Sequence, residues 1–233
     1  MNAAPRLDPA ELRALPVLAP FLVRPGIAFG RRQVLATGLA PLDALLGGGF
    51  PRGRISEVVG PRGSGRTSLV LTSLGRATAD GELVAFVDTT DGLDPASAQA
   101  LGVNLAGLLW VRCGGALRTA VQAADVLVRG GGFGAVLVDL GDLPPWTLAR
   151  VPAATFVRLQ RAVEGTPTAL LFAGPRRVAG SLAAVAVALR PGRVRWARGG
   201  PHLLTELATE ARLVRSRERP PGASVRLAWP VAA

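Results

Sequence analysis

The stretch "EVVGPRGSGRTSLVL", residues 57–71, joins a strand pattern, a glycine-rich turn and the start of a helix. It fits the phosphate-binding pattern G-x-x-x-x-G-K-[ST] at three positions, with an arginine where the pattern has lysine. Glycine amides in such a turn converge on an anion, and the helix that follows adds its dipole. The sequence therefore predicts a nucleotide-binding loop, degenerate at one position, formed by Gly60, Gly63, Gly65, Arg66, Thr67 and Ser68.

Arg66 is the residue that makes this loop degenerate. The loop lysine acts as a compact charge on the phosphates, whereas arginine is larger, planar and forked, so we expect phosphate binding to be weakened, distorted or lost. All 27 basic residues of the chain are arginine. Because arginine replaces lysine throughout, this position alone does not separate a working site from a retired one.

An acidic residue ends each of two apolar strand patterns. "AVLVDL" (135–140) places Asp139 where a carboxylate would complete a Mg²⁺ shell through water, as in phosphate-loop enzymes. "LVAFVD" (83–88) places Asp88 in an analogous position. The alternative is that such an acid only caps a strand end. Asp139 is the predicted acid of the site.

Apolar runs alternate with helical spacing from residue 54 to residue 174, which indicates an α/β fold. The pattern predicts a mostly parallel central sheet with helices on both faces. Further helices are predicted at roughly 147–163 and at 181–189. Three arginine-rich segments predict an antiparallel C-terminal extension of the same sheet: 193–198, 211–217 and 223–229. We expect an N-terminal arm at 1–33, with a short helix near 8–15, and a single core domain at 34–233.

The composition excludes several classes of protein. Hydrophobic residues make up 49% of the 233-residue chain, so it can bury a sizeable core. Cys113 and His202 are the only residues of their types, which argues against a disulfide, a metal cluster or a serine-hydrolase triad. No apolar run approaches the roughly 20 residues that span a bilayer, and the N-terminus does not resemble a signal peptide. We expect a soluble cytoplasmic protein with no metal centre and no membrane contact.

The net charge of +11 is concentrated near the C-terminus, where residues 176–233 hold eleven arginines and three glutamates. Such a basic quarter favours a polyanionic partner, namely a nucleic acid such as DNA. The alternative is a solvated surface in a chain rich in arginine. Trp196 and Trp229 are the only aromatic residues of this quarter, so readout of single-strand sequence by base stacking is not expected.

Longer stretches resemble the RecA recombinase core. The resemblance runs through "ATGLAPLDALLGGGFPRGRISEVVGPRGSGRTSLVL" (36–71), "LVAFVDTTDGLDPASAQALGVNLAGLLW" (83–110) and "AVLVDL". It resumes in "ARLVRSRERPPGASVRLAW" (211–229), which is similar to the strand pair carrying a basic-x-basic motif. The resemblance implies a RecA-like core. It also implies that Arg215 and Arg217 are interface residues that reach the nucleotide of a neighbouring protomer.

Departures from RecA fall on its catalytic machinery. Thr90 stands where the family has the glutamate that positions the attacking water. Ala173 and Gly174 replace an Asn-Gln pair, and the DNA-binding loop is cut down to a few residues that include Arg176 and Arg177. Loss of a positioned general base typically costs about 10²–10⁴ in rate. We therefore predict a pseudo-ATPase with no catalytic residue, for which ATP and Mg²⁺ are not required cofactors.

Among short RecA relatives, the chain resembles ImuA, an accessory protein of bacterial SOS mutagenesis. That resemblance implies a non-catalytic adaptor in translesion synthesis, with RecA, an ImuB-like polymerase homologue and an error-prone polymerase as partners. SulA-like RecA derivatives share many of these features, and the phosphate-loop outline and the Asp139 strand favour ImuA.

Two other functions remain open from the sequence. One is a weak DNA-stimulated ATPase in which Arg66 still grips phosphate and Asp91 or Asp142 serves as the base. The other is a basic DNA-binding module. Trp146, in "DLPPWTL", follows the Asp139 strand where RecA has a DNA-facing loop. It is either a partner anchor or a core residue.

Overall fold

A computed structural model describes residues 33–196 and 204–230 of the chain. The predicted arm at 1–33 lies outside these residues except for Gln33, as does the short helix predicted near 8–15. In the description that follows, strands and helices are numbered in chain order.

The described residues form a two-stranded antiparallel ribbon and a main sheet of eight strands. The ribbon consists of Val34–Leu35 (β1) and Phe50–Pro51 (β2). The strands of the main sheet are Ile55–Val59 (β3), Val84–Asp88 (β4), Leu108–Arg112 (β5), Ala135–Asp139 (β6), Ala169–Gly174 (β7), Val185–Trp196 (β8), Leu204–Ser216 (β9) and Ser224–Pro230 (β10). Their order across the sheet is β10-β9-β8-β3-β7-β6-β4-β5. Neighbours from β8 to β5 run parallel, whereas β9 is antiparallel to both β8 and β10.

Helices cover both faces of the parallel part, which explains why its central strands are continuous apolar runs. The α-helices are Ala40–Leu46 (α1), Arg66–Ala79 (α2), Pro95–Ala100 (α3), Leu117–Gly130 (α4), Pro145–Leu148 (α5) and Ala153–Val163 (α6). One face packs on α1, α2 and α3, and the other face packs on α4 and α6. The α/β fold with an antiparallel C-terminal extension is therefore confirmed.

One predicted helix is wrong, and a second is divided in two. Residues 181–189 do not form an α-helix: a 3-10 turn at Gly180–Leu182 precedes the strand Val185–Trp196, which pairs with β3 on one side and β9 on the other. The alanine-rich composition of this segment favours a helix, and the pairing of both its edges overrides that preference. The helix predicted at 147–163 is two helices, α5 and α6, and Pro152 is the N-cap of the second.

In the part of the chain that the structure describes, no helix is both long enough and apolar enough to cross a bilayer.

Candidate nucleotide-binding cleft

The glycine-rich loop lies between the end of β3 and the start of α2, as the sequence predicts. Gly63 and Gly65 have φ angles of 75° and 83°, a left-handed conformation that glycine adopts without strain. A Cβ atom on Gly60 would lie 2.7 Å from the carbonyl oxygen of Leu189, so a side chain there would collide with β8. The glycines are therefore required by the shape of the loop itself.

The antiparallel extension supports this loop from beneath. The Thr209 hydroxyl of β9 donates a hydrogen bond to the Ser64 carbonyl oxygen at 2.9 Å. The Trp229 ring of β10 lies close to Gly65, where a Cβ atom would be 3.1 Å from it. Its indole N–H donates to the Thr72 hydroxyl of α2 at 3.4 Å. These supports were not found from the sequence, since no local pattern links residues so far apart along the chain.

A cleft of about 650 Å³ opens beside the loop. The first-turn amides of α2, at Arg66, Thr67 and Ser68, donate to no backbone acceptor in the described residues. Such amides attract anions. The structure brings the loop, Thr90 and Asp139 together at this cleft. The cleft is lined by Arg62, Gly63, Gly65, Arg66, Thr67, Ser68, Thr90, Gly92, Asp139, Gly141, Asp142, Leu143 and Pro144.

Arg66 is bound to the segment that follows β6. Its Nη1 donates to the Gly141 carbonyl oxygen at 3.2 Å, and its Nη2 makes an ion pair with the Asp142 carboxylate. The Arg66 side chain is 11% exposed and that of Asp142 is 46% exposed. The guanidinium is thus engaged by protein groups on the far side of the cleft, in a contact that no local sequence pattern predicts.

Asp139 lies at the end of β6 and lines the cleft. The Gly141 amide donates to its carboxylate at 3.0 Å. Burial raises the pKa of Asp139, and this effect outweighs the opposite influence of the Gly141 amide and of Arg66. Thr67 and Asp139 both line the cleft and carry oxygen atoms of the kind that Mg²⁺ binds.

Asp88 has a structural environment. It is fully buried, and its carboxylate accepts hydrogen bonds from the amides of Thr90, Gly92 and Leu93. The Trp110 indole donates to it as well, at 3.1 Å. The second acid proposed from the sequence thus fixes the turn after β4, and it does not line the cleft.

Thr90 is exposed near the start of this turn and packs against Gly141, where a Cβ atom would overlap its hydroxyl. Asp91, with a φ of 57°, turns away and forms a two-point ion pair with Arg112, at 3.0 and 3.1 Å. The Arg112 guanidinium in turn lies 5.1 Å from the Trp110 ring centroid. Both carboxylates considered as alternative bases, Asp91 and Asp142, are therefore paired with arginines.

The predicted interface arginines lie at the end of the parallel strands opposite the glycine-rich loop. Arg215 donates to the carbonyl oxygens of Ala183 and Ser181, at 2.6 and 2.8 Å. Arg217 is exposed and lines a cavity of about 1070 Å³ near the amino ends of β3 and β7. Because the glycine-rich loop lies at the carboxyl end of β3, neither arginine can reach it within one chain.

Arg176 and Arg177 have different surroundings although they are adjacent. Arg176 is exposed. Arg177 donates to the carboxylate of Glu57 at 3.0 Å and also binds the Gly180 carbonyl oxygen. Glu57 is fully buried on β3, so Arg177 stabilises a buried charge.

Trp146 lies on α5, beyond Leu143 and Pro144 at the rim of the cleft. Its side chain is 69% exposed. It is therefore not a core residue, and its role as a partner anchor stays a prediction.

A glycine-rich loop between a strand and a helix, with an acid at the end of a nearby strand, defines the phosphate-loop class of α/β proteins. Residues 30–146 match the family described as the RecA N-terminal domain. The match covers half of the chain, and the chain belongs to this family.

Individual relatives agree with this assignment. The chain is 47% identical over 155 residues to RecA of Methylococcus capsulatus, covering 60% of this chain and 44% of that protein. It is 36% identical over 155 residues to RecA of Deinococcus radiodurans, covering 60% and 42%. The chain thus matches less than half the length of these relatives.

The crystal structure of the RadB recombinase has a similar fold, with a TM-score of 0.60 and 20% sequence identity. The superposition covers 83% of this chain and 94% of that one. At this level of identity the comparison concerns the fold alone.

Proposed function

We propose that this protein is a non-catalytic RecA-family adaptor in the bacterial DNA-damage response, acting as ImuA-like proteins do. In this proposal it supports error-prone translesion synthesis in the cytoplasm by binding RecA, an ImuB-like polymerase homologue, or both. The contact of Arg66 with Gly141 and Asp142 carries the proposal, because it holds the loop's charged side chain on protein groups.

The fit of the cleft to a Mg²⁺-bound nucleotide is only partial. The loop amides, Thr67 and Asp139 are suited to a phosphate and its metal ion. Arg66 is not available to the phosphates in this arrangement, and Thr90 has no carboxylate to orient a water molecule. These two features support retention of the loop as architecture without ATP turnover.

The exposed Arg217 supports an interface with a RecA-like protomer. It lies near the amino ends of the parallel strands, opposite the glycine-rich loop. A head-to-tail arrangement would therefore bring it to the loop of a neighbouring protomer.

Association measurements test this proposal. We expect the purified chain to associate with RecA or with an ImuB-like protein at about micromolar concentration. Arg217→Ala should weaken RecA association, whereas Arg161→Ala, an exposed arginine on α6, should not. Failure of the wild-type chain to associate with either partner would contradict the adaptor role.

A second candidate function is DNA binding by the outer face of β8, β9 and β10. On β10, exposed residues alternate with Leu227 and Trp229, which pack on the core. Arg190 and Arg226 flank Glu210 from the two neighbouring strands. The basic residues exposed in these three strands are Arg190, Arg193, Arg195, Arg212 and Arg226. They outnumber Glu206 and Glu210, which favours a phosphate backbone as partner.

A further inference from the structure

The Arg66–Asp142 ion pair closes one side of the cleft. Arg66 is the first residue of α2, and Asp142 lies in the turn after β6. The guanidinium therefore crosses from the glycine-rich loop to the opposite wall, where it meets the Gly141 carbonyl oxygen as well.

The contact satisfies the Arg66 guanidinium with groups of this chain. The neighbouring hydrogen-bond donors of the loop, in contrast, have no partners among the described residues. The first-turn amides of α2 have no backbone acceptor in the described residues. The Ser64 hydroxyl, also in the loop, is buried and has no hydrogen-bond partner among them. A phosphate placed at these donors would compete with Asp142 for the same guanidinium.

Asp142 and Asp139, both near the end of β6, differ in how far they are buried. The Asp142 carboxylate is nearly half exposed, whereas Asp139 is mostly buried and is held by the Gly141 amide. Asp142 also adds a negative charge to the wall of a cleft that already contains Asp139. Its position thus opposes an anion in two ways, by pairing Arg66 and by direct repulsion.

We propose that Asp142 competes with nucleotide phosphates for Arg66, holding the Arg66 guanidinium away from a phosphate bound at the glycine-rich loop. This inference rests on the proposed loss of nucleotide turnover and names a residue that would contribute to it. In this view Asp142, and not the exchange of lysine for arginine alone, keeps phosphate affinity low.

The expected effect is modest because the pair is partly exposed. Ion pairs of this kind contribute up to about 1 kcal/mol, which corresponds to a change of about fivefold in affinity. We therefore expect Asp142→Asn to tighten the binding of inorganic pyrophosphate by about fivefold.

Isothermal titration with pyrophosphate tests this inference on the full chain. Asp80→Asn is the matched control, since it removes one negative charge in an ion pair with Arg76 at the other end of α2. The gain from Asp142→Asn should be absent in Asp80→Asn, and it should disappear when Arg66→Gln is added.

Three results would overturn the competitor role. The first is that Asp142→Asn binds pyrophosphate no more tightly than the wild type, which includes no measurable binding by either of them. The second is an equal gain in affinity in Asp80→Asn. The third is an equal gain from Asp142→Asn when Arg66 is already Gln. ATP turnover by the wild-type chain, measured separately, would instead contradict the proposed function and would leave the pyrophosphate comparison interpretable.

Discussion

Asp88 and Asp139 lie directly opposite each other at the carboxyl ends of the neighbouring parallel strands β4 and β6, and only Asp139 lines the cleft. The two acids occupy equivalent positions in the sequence pattern. Their hydrogen bonds distinguish the two acids. Asp88 accepts from three amides and an indole, whereas Asp139 accepts from one amide.

Asp88→Ala should strongly destabilise the protein. The substitution leaves the buried Leu93 amide and three part-buried donors without their acceptor, which costs about 3 kcal/mol of unfolding free energy. Urea unfolding measures it. Asp94→Ala, which removes an exposed helix cap on α3, should cost less. Equal losses in the two variants would show that the Asp88 network has no special weight.

Asp139→Asn should stabilise the protein at neutral pH. Burial raises the pKa of Asp139, so the folded state binds its proton more tightly than the unfolded state does. The stability contributed by this group is therefore full at low pH and is lost as the pH rises through the raised pKa. The advantage of Asp139→Asn should vanish near about pH 2, where both forms are neutral. Thermal unfolding across this pH range provides the measurement.

Asp94 gives the comparison of opposite sign for that experiment. Hydrogen bonds from the Ser97 side chain and amide lower the pKa of Asp94. Its charge should therefore stabilise the fold above its usual pKa and lose that effect in acid. Destabilisation by Asp139→Asn at neutral pH would contradict the Asp139 prediction, because the Asp139 carboxylate would then be better solvated than its burial indicates.

Trp146→Ala should leave stability within about 0.5 kcal/mol of the wild type, because the side chain is mostly exposed. Leu148→Ala on the same short helix removes a buried side chain and should cost about 2–5 kcal/mol. If Trp146 anchors a partner, its loss should weaken association about 30-fold. Unchanged partner affinity in a folded Trp146→Ala protein would remove it from the interface.

DNA binding by the outer face of β8–β10 should depend on the salt concentration. Binding of single-stranded DNA should weaken with salt, and replacing Arg190, Arg212 and Arg226 by Gln should reduce the log–log slope by about 2. A triple variant of exposed arginines elsewhere, Arg118, Arg150 and Arg161, serves as the control. Fluorescence anisotropy gives both slopes. Equal slopes in the two variants would mean that the charge acts without a defined surface.

The parallel core was predictable because its strands are apolar runs separated by helical spacing and glycine turns. β8 was not, since "SLAAVAVAL" has a helix-favouring composition, and its two pairing partners lie far away in sequence. The loop and Asp139 were found from local patterns. The partners that decide the state of the loop, Asp142 above it and Thr209 and Trp229 beneath it, depend on tertiary packing that no local pattern records.

ATP turnover with single-stranded DNA present, compared with Asp139→Ala purified in the same way, is the most direct test of the proposal that this RecA-family chain is non-catalytic. We expect the wild-type chain and the variant to give the same background rate, because Arg66 is held by Asp142 and Thr90 has no carboxylate. Turnover above background that is lost in Asp139→Ala would contradict this conclusion and establish the chain as an ATPase.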